Sequence, residues 1–251
     1  MMDILYIVGP ETVSKHGNRE LRWSLRSVAK YARNLGRVIV AGYPPAWLAD
    51  EVVRVPSEDE AGVSKFLLMW HKFWAAVEAG AVQGEFLVST DDHFYSRPVD
   101  LDRTPFYYRR PGIRRFEETS DEDGGKSYRK HLAATREVLV RSGYPARDCA
   151  GHCNFRVDLK DAPVVRELFD LARPEERERA FDLASVFVNV RAMREHVPFV
   201  WRNDIKATSF AECQPETGQF SIGDKCFDDP AFLDYMEREF GTPCKFEKEE
   251  T

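Results

Sequence analysis

The stretch Phe86-Leu87-Val88-Ser89-Thr90-Asp91-Asp92-His93-Phe94 carries the deciding signal of this chain. A short, β-prone run ends abruptly in two adjacent carboxylates, then a histidine and the aromatic pair Phe94 and Tyr95. A strand of a parallel sheet, buried on both faces, reads this way, with its acids where it emerges at the carboxyl end. In open α/β sheets that edge is where ligands sit. Two neighbouring carboxylates repel each other, and a hard divalent cation bridging phosphate oxygens would neutralise them. The competing reading is a turn or a helix cap, since Asp favours both.

Working outward, residues 3–8 form a first strand ending at Gly9-Pro10. Residues 18–33 follow as a helix with Asn18 as its cap and Leu21, Leu25, Val28 and Ala29 on one face. Residues 37–41 give a second strand and 51–55 a short third, separated by a loop containing Pro45-Ala46-Trp47-Leu48. A helix over 64–79, capped by Ser64 and stopped by Gly80, leads into the Asp-Asp strand; its apolar positions, Trp70 and Trp74 among them, are too many for a narrow stripe, so it is buried. This alternation is the start of a nucleotide-binding α/β sheet with right-handed crossovers. Residues 100–128, rich in charge, Gly and Pro, read as a flexible excursion, a hairpin or an active-site flap. Helical patterns resume from 129 to 140, over 163–172 and 175–195, and over 229–239, where Asp229 caps and Pro230 takes the first helical position. No repeat or interdomain linker interrupts residues 1–251, which predicts a single catalytic domain.

Thirty-six basic against 42 acidic side chains give a net charge of −6, which argues against bulk attraction to nucleic acid. No run reaches the roughly 18 apolar residues of a membrane span, and the first residues lack the basic start and cleavage site of a signal peptide. Five cysteines at irregular spacing make no disulfide framework, so a cytoplasmic, reducing location is expected. Cys149, His152 and Cys153 raise the question of zinc, but no second ligand pair at suitable spacing accompanies them.

Several segments together resemble one family. Asp3-Ile4-Leu5-Tyr6 resembles the opening strand of the Stealth-type sugar-phosphate transferases, which include capsular polysaccharide phosphotransferases and the lysosomal-enzyme GlcNAc-1-phosphotransferase. Residues 18–32, NRELRWSLRSVAKYA, are close to their "ELRYSLRSIEKYAP" helix, and Pro45-Ala46-Trp47-Leu48 is similar to their "P-x-W-L". Thr90-Asp91-Asp92-His93-Phe94-Tyr95 falls where they carry "NDDxFF". His131 and Asn154-Phe155-Arg156 resemble their histidine segment and its "FR" ending. Phe220-Ser221-Ile222-Gly223-Asp224 resembles "ICIND", and Pro243-Cys244-Lys245-Phe246-Glu247 resembles the closing "P-x-S-x-FE". The order is kept over most of the chain. The resemblance implies a GT-A-like (nucleotide-diphosphosugar transferase) fold, with a mixed, mainly parallel sheet flanked by helices, and transfer dependent on Mg²⁺ or Mn²⁺. Thr90, His93 and Gly223 depart from the pattern, and hexosyl and hexose-1-phosphate transfer both stay open, since they share a donor-binding scaffold.

In that frame Asp91 and Asp92 are the expected metal ligands, with Asp224 either a third or a turn cap, and Asp92 also counts among the catalytic residues. His93 either ligates beside them or points away. His131 and His152 are candidates for a phosphate contact or for a base acting on an acceptor hydroxyl, because an imidazole titrates near neutral pH without tuning. Arg156 suits either a bidentate phosphate contact or an ordinary ion pair at a strand end. Arg19, Arg22 and Arg26 share a face of the first helix, which either meets donor phosphates or is solvated, and the same choice applies to Lys65 and Lys72. The expected partner is a nucleotide sugar, a UDP-sugar first, with an acceptor that is a glycan or a modified DNA base. Glycosylation of hydroxymethylated bases is the second reading; Arg109-Arg110 and Arg114-Arg115, flanked by Tyr107, Tyr108 and Phe116, would contact phosphates and bases. A non-catalytic nucleotide-sugar-binding protein is the third, against which the intact Asp91 and Asp92 argue.

Overall fold

The computed structural model describes residues 1–11, 14, 16–110, 112–113, 126–149, 154–179, 181–195, 199–201 and 206–248. The chain opens with β1 (Met2–Val8), α1 (Arg19–Tyr31), β2 (Ala32–Arg33), β3 (Leu35–Gly42) and β4 (Val53–Pro56). It continues through α2 (Lys65–Glu78), β5 (Glu85–Ser89), β6 (His93–Tyr95), β7 (Val99–Asp100) and β8 (Phe106–Arg110). Next come α3 (Lys126–Arg141), β9 (Asp148–Cys149), β10 (Phe155–Asp158), α4 (Ala162–Asp170), α5 (Pro174–Arg179) and α6 (Leu183–Glu195). The last elements are β11 (Phe199–Trp201), β12 (Lys206–Ala207), α7 (Phe210–Cys213), β13 (Gln219–Ile222) and α8 (Pro230–Phe240).

Among the described residues the central sheet has five strands in the order β10-β5-β1-β3-β4. β1 pairs in parallel with β3 and β5, β3 pairs in parallel with β4, and β10 closes the edge antiparallel to β5. The result is a mixed α/β fold with a mainly parallel sheet flanked by helices. Strand periodicity explains the two covered faces. Leu5 and Ile7 of β1 pack with Phe66, Trp70 and Phe73 of α2 and with Val186, Phe187 and Val190 of α6. Ile4, Tyr6 and Val8 pack on the opposite side against Leu21, Leu25 and Val28 of α1. A smaller sheet, β12-β13-β6, continues from the end of β5 and packs on Trp23 and α8. No helix among the described residues is long and apolar enough to cross a membrane.

Several boundaries differ from those expected. Asn18 sits in the left-handed region at φ 55° and makes no side-chain cap bond; Ser14 Oγ instead accepts from the Asn18 backbone N–H at 2.9 Å. The first helix stops at Tyr31, where the chain becomes extended and Ala32-Arg33 pair with Val99-Asp100. The helix expected over 175–195 is two helices, α5 and α6, and Asp182 Oδ2 caps the second by accepting from Ser185 N–H at 2.8 Å. Of the excursion expected over 100–128, residues 101–103 form a 3₁₀ turn and 106–110 form β8, which is paired on both sides. Residues 114–125 lie outside the described residues. Gly42 is fixed by close approach: a Cβ there would lie 2.2 Å from the Val8 carbonyl and 2.8 Å from Lys72 Cδ.

The C-terminal segment is fastened to α1 by a buried cluster. Glu247, its side chain 1% exposed, accepts from Arg22 Nη1 at 2.7 Å and from Arg26 Nε and Nη2 at 2.6 and 2.7 Å. Arg26 Nη1 also donates to the Phe240 and Gly241 carbonyls. Burial resists ionisation of Glu247, but Arg26, the Cys244 N–H and Arg22 hold its carboxyl below the ordinary 4.5. Replacing it strands two cations, so Glu247→Ala is expected to cost about 3 kcal/mol in chemical denaturation. A depressed folded-state value contributes stability above the ordinary value and loses it as pH falls through the lower one. The melting-temperature gap between wild type and Glu247→Gln should therefore be full at pH 7 and shrink as pH drops below 4.5. A gap constant with pH would show that the charge contributes nothing.

Candidate functional site

The site forms where β1 and β5 end. Gly9-Pro10 leaves β1, and Thr90-Asp91-Asp92 turns the chain out of β5 into β6. Two serines of α1 hold that turn from below: Ser24 Oγ donates to the His93 carbonyl at 2.5 Å, and Ser27 Oγ accepts from Tyr95 N–H at 3.1 Å. The Asp92 carbonyl accepts from Ile222 N–H at 3.2 Å, which ties the turn to β13. The backbone from Asp92 to Tyr95 is thereby fixed from two elements distant in sequence.

Two cavities meet on this turn. The smaller, about 340 Å³, is polar and takes in Glu20, Lys65, Asp91, Asp92, Lys206 and Asp224. The larger, about 740 Å³, has an apolar wall of Phe66, Met69, Trp70, Phe155 and Phe181, with His93, His131, Lys72 and Asp182 among its polar groups. Gly9, Pro10, Lys65, Asp91, Asp92 and Lys206 line both. A ligand with a charged middle and two different ends fits this shape: the charge lies at the junction and the ends extend into unlike surroundings.

The electrostatics of the junction are asymmetric. Asp92 Oδ2 forms an ion pair with Lys206 Nζ, and Thr90 Oγ1 donates to Asp92 Oδ1 at 2.5 Å. Burial opposes charge on Asp92, but the Lys206 ammonium and then His93 outweigh it and bring its carboxyl to about 2. Among the described residues no cation forms an ion pair with Asp91. Burial, then the adjacent Asp92 charge, push it up to about 7, with Lys206 only partly offsetting them.

Asp224 begins a 3₁₀ turn at the rim of the smaller cavity and lies within the field of Lys206. Among the described residues no group of three or more His, Cys, Asp or Glu is placed to hold a metal ion, so Asp91, Asp92 and Asp224 line one cavity without forming a ready-made cage. Their oxygen chemistry fits a hard cation of the kind that keeps few protein ligands and takes the rest from phosphate and water.

His131, 3% exposed, is stacked on Phe66 at 4.0 Å with its Nε2 3.9 Å from Asp182 Oδ1. Thr135 joins the two: its Oγ1 donates to the His131 carbonyl at 2.9 Å and accepts from Asp182 N–H at 2.8 Å. Burial disfavours charge on Asp182, but His131 and the Ser185 bonds keep its carboxyl below the ordinary range. An ionised carboxylate backing an imidazole favours a base that gains a proton during reaction.

The remaining expected residues divide. Lys65 reaches the junction, and Lys72, buried and paired with Asp59 at 2.6 Å, lines only the larger cavity. His93 Nδ1 lies 3.1 Å from Asn154 Oδ1, with its Nε2 3.8 Å from Asp92 Oδ1. Arg19, Arg22, Arg26 and Arg156 line neither cavity. Arg19 lies over Trp23, Arg22 and Arg26 serve Glu247, and Arg156 pairs with Glu85 at 2.6 Å on the β10 edge. His152, Cys153, Arg114, Arg115 and Phe116 lie outside the described residues, as do the side chains of Arg109 and Arg110. Lys206 and Asp182 are additions the sequence reading missed. Asp182 had a usable signal, an Asp three residues before a Ser at the head of an apolar run; Lys206, in a two-residue strand, had none.

Comparison with known proteins gives a partial likeness. Over 183 residues the chain is 29% identical to a protein of Nocardia farcinica (strain IFM 10152) named exopolysaccharide phosphotransferase. The match covers 70% of this chain and 34% of that protein, so the chain spans about a third of the length of this curated relative. No family model matches.

Asp91 supplies a direct test of strain at the site. A carboxyl raised to about 7 in the fold is unfavourable when ionised, and the cost grows as pH rises from its ordinary 3.8 toward 7. Asp91→Asn is therefore expected to melt higher than wild type at pH 8, with the gap closing by pH 4, in ligand-free protein. If the Asp91→Asn protein melts lower than wild type at pH 8, the carboxylate is compensated in the fold.

Proposed function

We propose that this protein transfers a hexose-1-phosphate group from a nucleotide sugar to an acceptor hydroxyl. The observation that carries the reading is the junction itself: two carboxylates and an ammonium at the carboxyl end of a parallel sheet, opening into a cavity that holds a carboxylate-backed imidazole. The likeness to a protein named exopolysaccharide phosphotransferase favours the phosphoryl version of transfer over the hexosyl one.

In this reading the diphosphate of the donor lies at the junction, beside Lys65 and Lys206. The acceptor hydroxyl, in the larger cavity, attacks the phosphorus that bears the sugar. The new bond joins the acceptor oxygen to that phosphorus, the phosphoanhydride bond breaks, and a nucleoside monophosphate leaves. His131 takes the hydroxyl proton, and Asp182 stabilises the imidazolium so formed. Lys206 and Lys65 lie where charge gathers on the bridging and leaving oxygens, which is where fixed cations are most effective. Asp91, Asp92 and Asp224 would hold a divalent cation, which when bound supplies further neutralisation of the diphosphate. The apolar wall around His131 keeps water from competing with the acceptor.

The test is the identity of the nucleotide product. Incubation with a panel of UDP-, GDP- and CDP-sugars, Mn²⁺ and candidate polysaccharide acceptors should release the nucleoside monophosphate, followed by ³¹P NMR. His131→Ala should reduce that release about 10²-fold or more while leaving thermal stabilisation by the donor in place. Release of the nucleoside diphosphate would establish hexosyl transfer instead, and no stabilisation by any nucleotide sugar would remove the donor altogether.

A further inference from the structure

Lys206 is more than a spectator at this junction. Both oxygens of Asp92 are occupied, Oδ1 by the Thr90 hydroxyl and Oδ2 by the Lys206 ammonium. Lys206 also lies in the fields of Asp91 and Asp224, so one ammonium stands among the three carboxylates available to a cation. It projects from β12, a strand of two residues held through Lys206-Ala207 to Ser221-Ile222 of β13. Its side chain is 43% exposed, against 19% for Asp92, so the lysine end of the pair is the one open to solvent. A long, flexible ammonium at a solvent-facing position can exchange partners at little cost.

We propose that Lys206 is a built-in counter-ion that competes with the divalent cation for Asp92 and yields to it only when a diphosphate arrives. The inference rests on the nucleotide-diphosphate reading of the junction. With no ligand, a dication approaching Asp92 meets a positive charge already in contact with it, and the repulsion weakens metal binding. A diphosphate changes the balance, because its oxygens offer Lys206 a new anionic partner within the same cavities while adding ligands for the metal. Lysine suits this role as a compact charge on a flexible stem that binds phosphate as a point charge. Metal and nucleotide then bind with positive coupling, each raising the affinity for the other.

The experiment measures Mn²⁺ binding directly, by the electron paramagnetic resonance signal of the free ion, for wild type, Lys206→Met and Lys206→Arg. Each is titrated alone and in the presence of UDP, GDP or CDP. With Mn²⁺ alone, Lys206→Met should bind about tenfold tighter than wild type, while Lys206→Arg, which keeps the charge, should stay close to wild type. A nucleoside diphosphate should tighten Mn²⁺ binding to wild type and do so much less for Lys206→Met, whose Asp92 is already free and whose phosphate contact is gone. Equal or weaker Mn²⁺ binding by Lys206→Met alone would overturn the competition, whatever the nucleotide results. Wild type that binds Mn²⁺ but no nucleoside diphosphate would overturn the donor reading instead. No Mn²⁺ binding by any variant under any condition would overturn both.

Discussion

Two adjacent carboxylates at the end of a strand buried on both sides are the constraint from which the rest of this site follows. They cannot both be ionised cheaply, because each raises the cost of charging the other and burial raises the cost of both. The structure resolves the conflict unequally, pairing Asp92 with Lys206 and leaving Asp91 near neutrality. That inequality is a poised state. Carboxyls shifted by burial and a neighbouring charge concentrate at functional sites, and under the proposed function a diphosphate would meet charges that can be redistributed.

The turn can be strained in this way because its backbone is held from outside. Ser24 and Ser27 of α1 bond the backbone of His93 and Tyr95, and Ile222 of β13 bonds the Asp92 carbonyl. Buried serines in the middle of a helix usually weaken it. Here Ser27 Oγ donates to the Ser24 carbonyl while accepting from Tyr95 N–H, so each hydroxyl is used. α1 thus supplies one face of the core through Leu21, Leu25 and Val28 and, through its serines, fixes the geometry of the acids.

How much of this was legible in the sequence depended on distance along the chain. The alternation of strands and helices and the carboxyl-end placement of Asp91 and Asp92 follow from local patterns, while His131 and Asp224, which line the larger and the smaller cavity, were singled out by the family resemblance. The break between α5 and α6 was lost because residues 175–195 contain no Gly or Pro to mark it, and its signal is the capping bond from Ser185 N–H to Asp182. Lys206 and the smaller sheet could not be read, since strands of two to four residues give no periodicity to detect.

The arginines of α1 show the same limit from the other side. Arg22 and Arg26 share a helix face, and from the sequence that face suits either solvent or phosphate. Their partner is Glu247, 225 and 221 residues away, and no local pattern announces it. Burial decides between the alternatives: a carboxylate 1% exposed requires cations, and two arginines already committed to it and to the Phe240 and Gly241 carbonyls have little left to offer a ligand. The helix therefore carries charge for closure on one side and small hydroxyls for the site on another. The cations that line the junction are instead Lys65 and Lys206, which come from α2 and β12 and take no part in that closure.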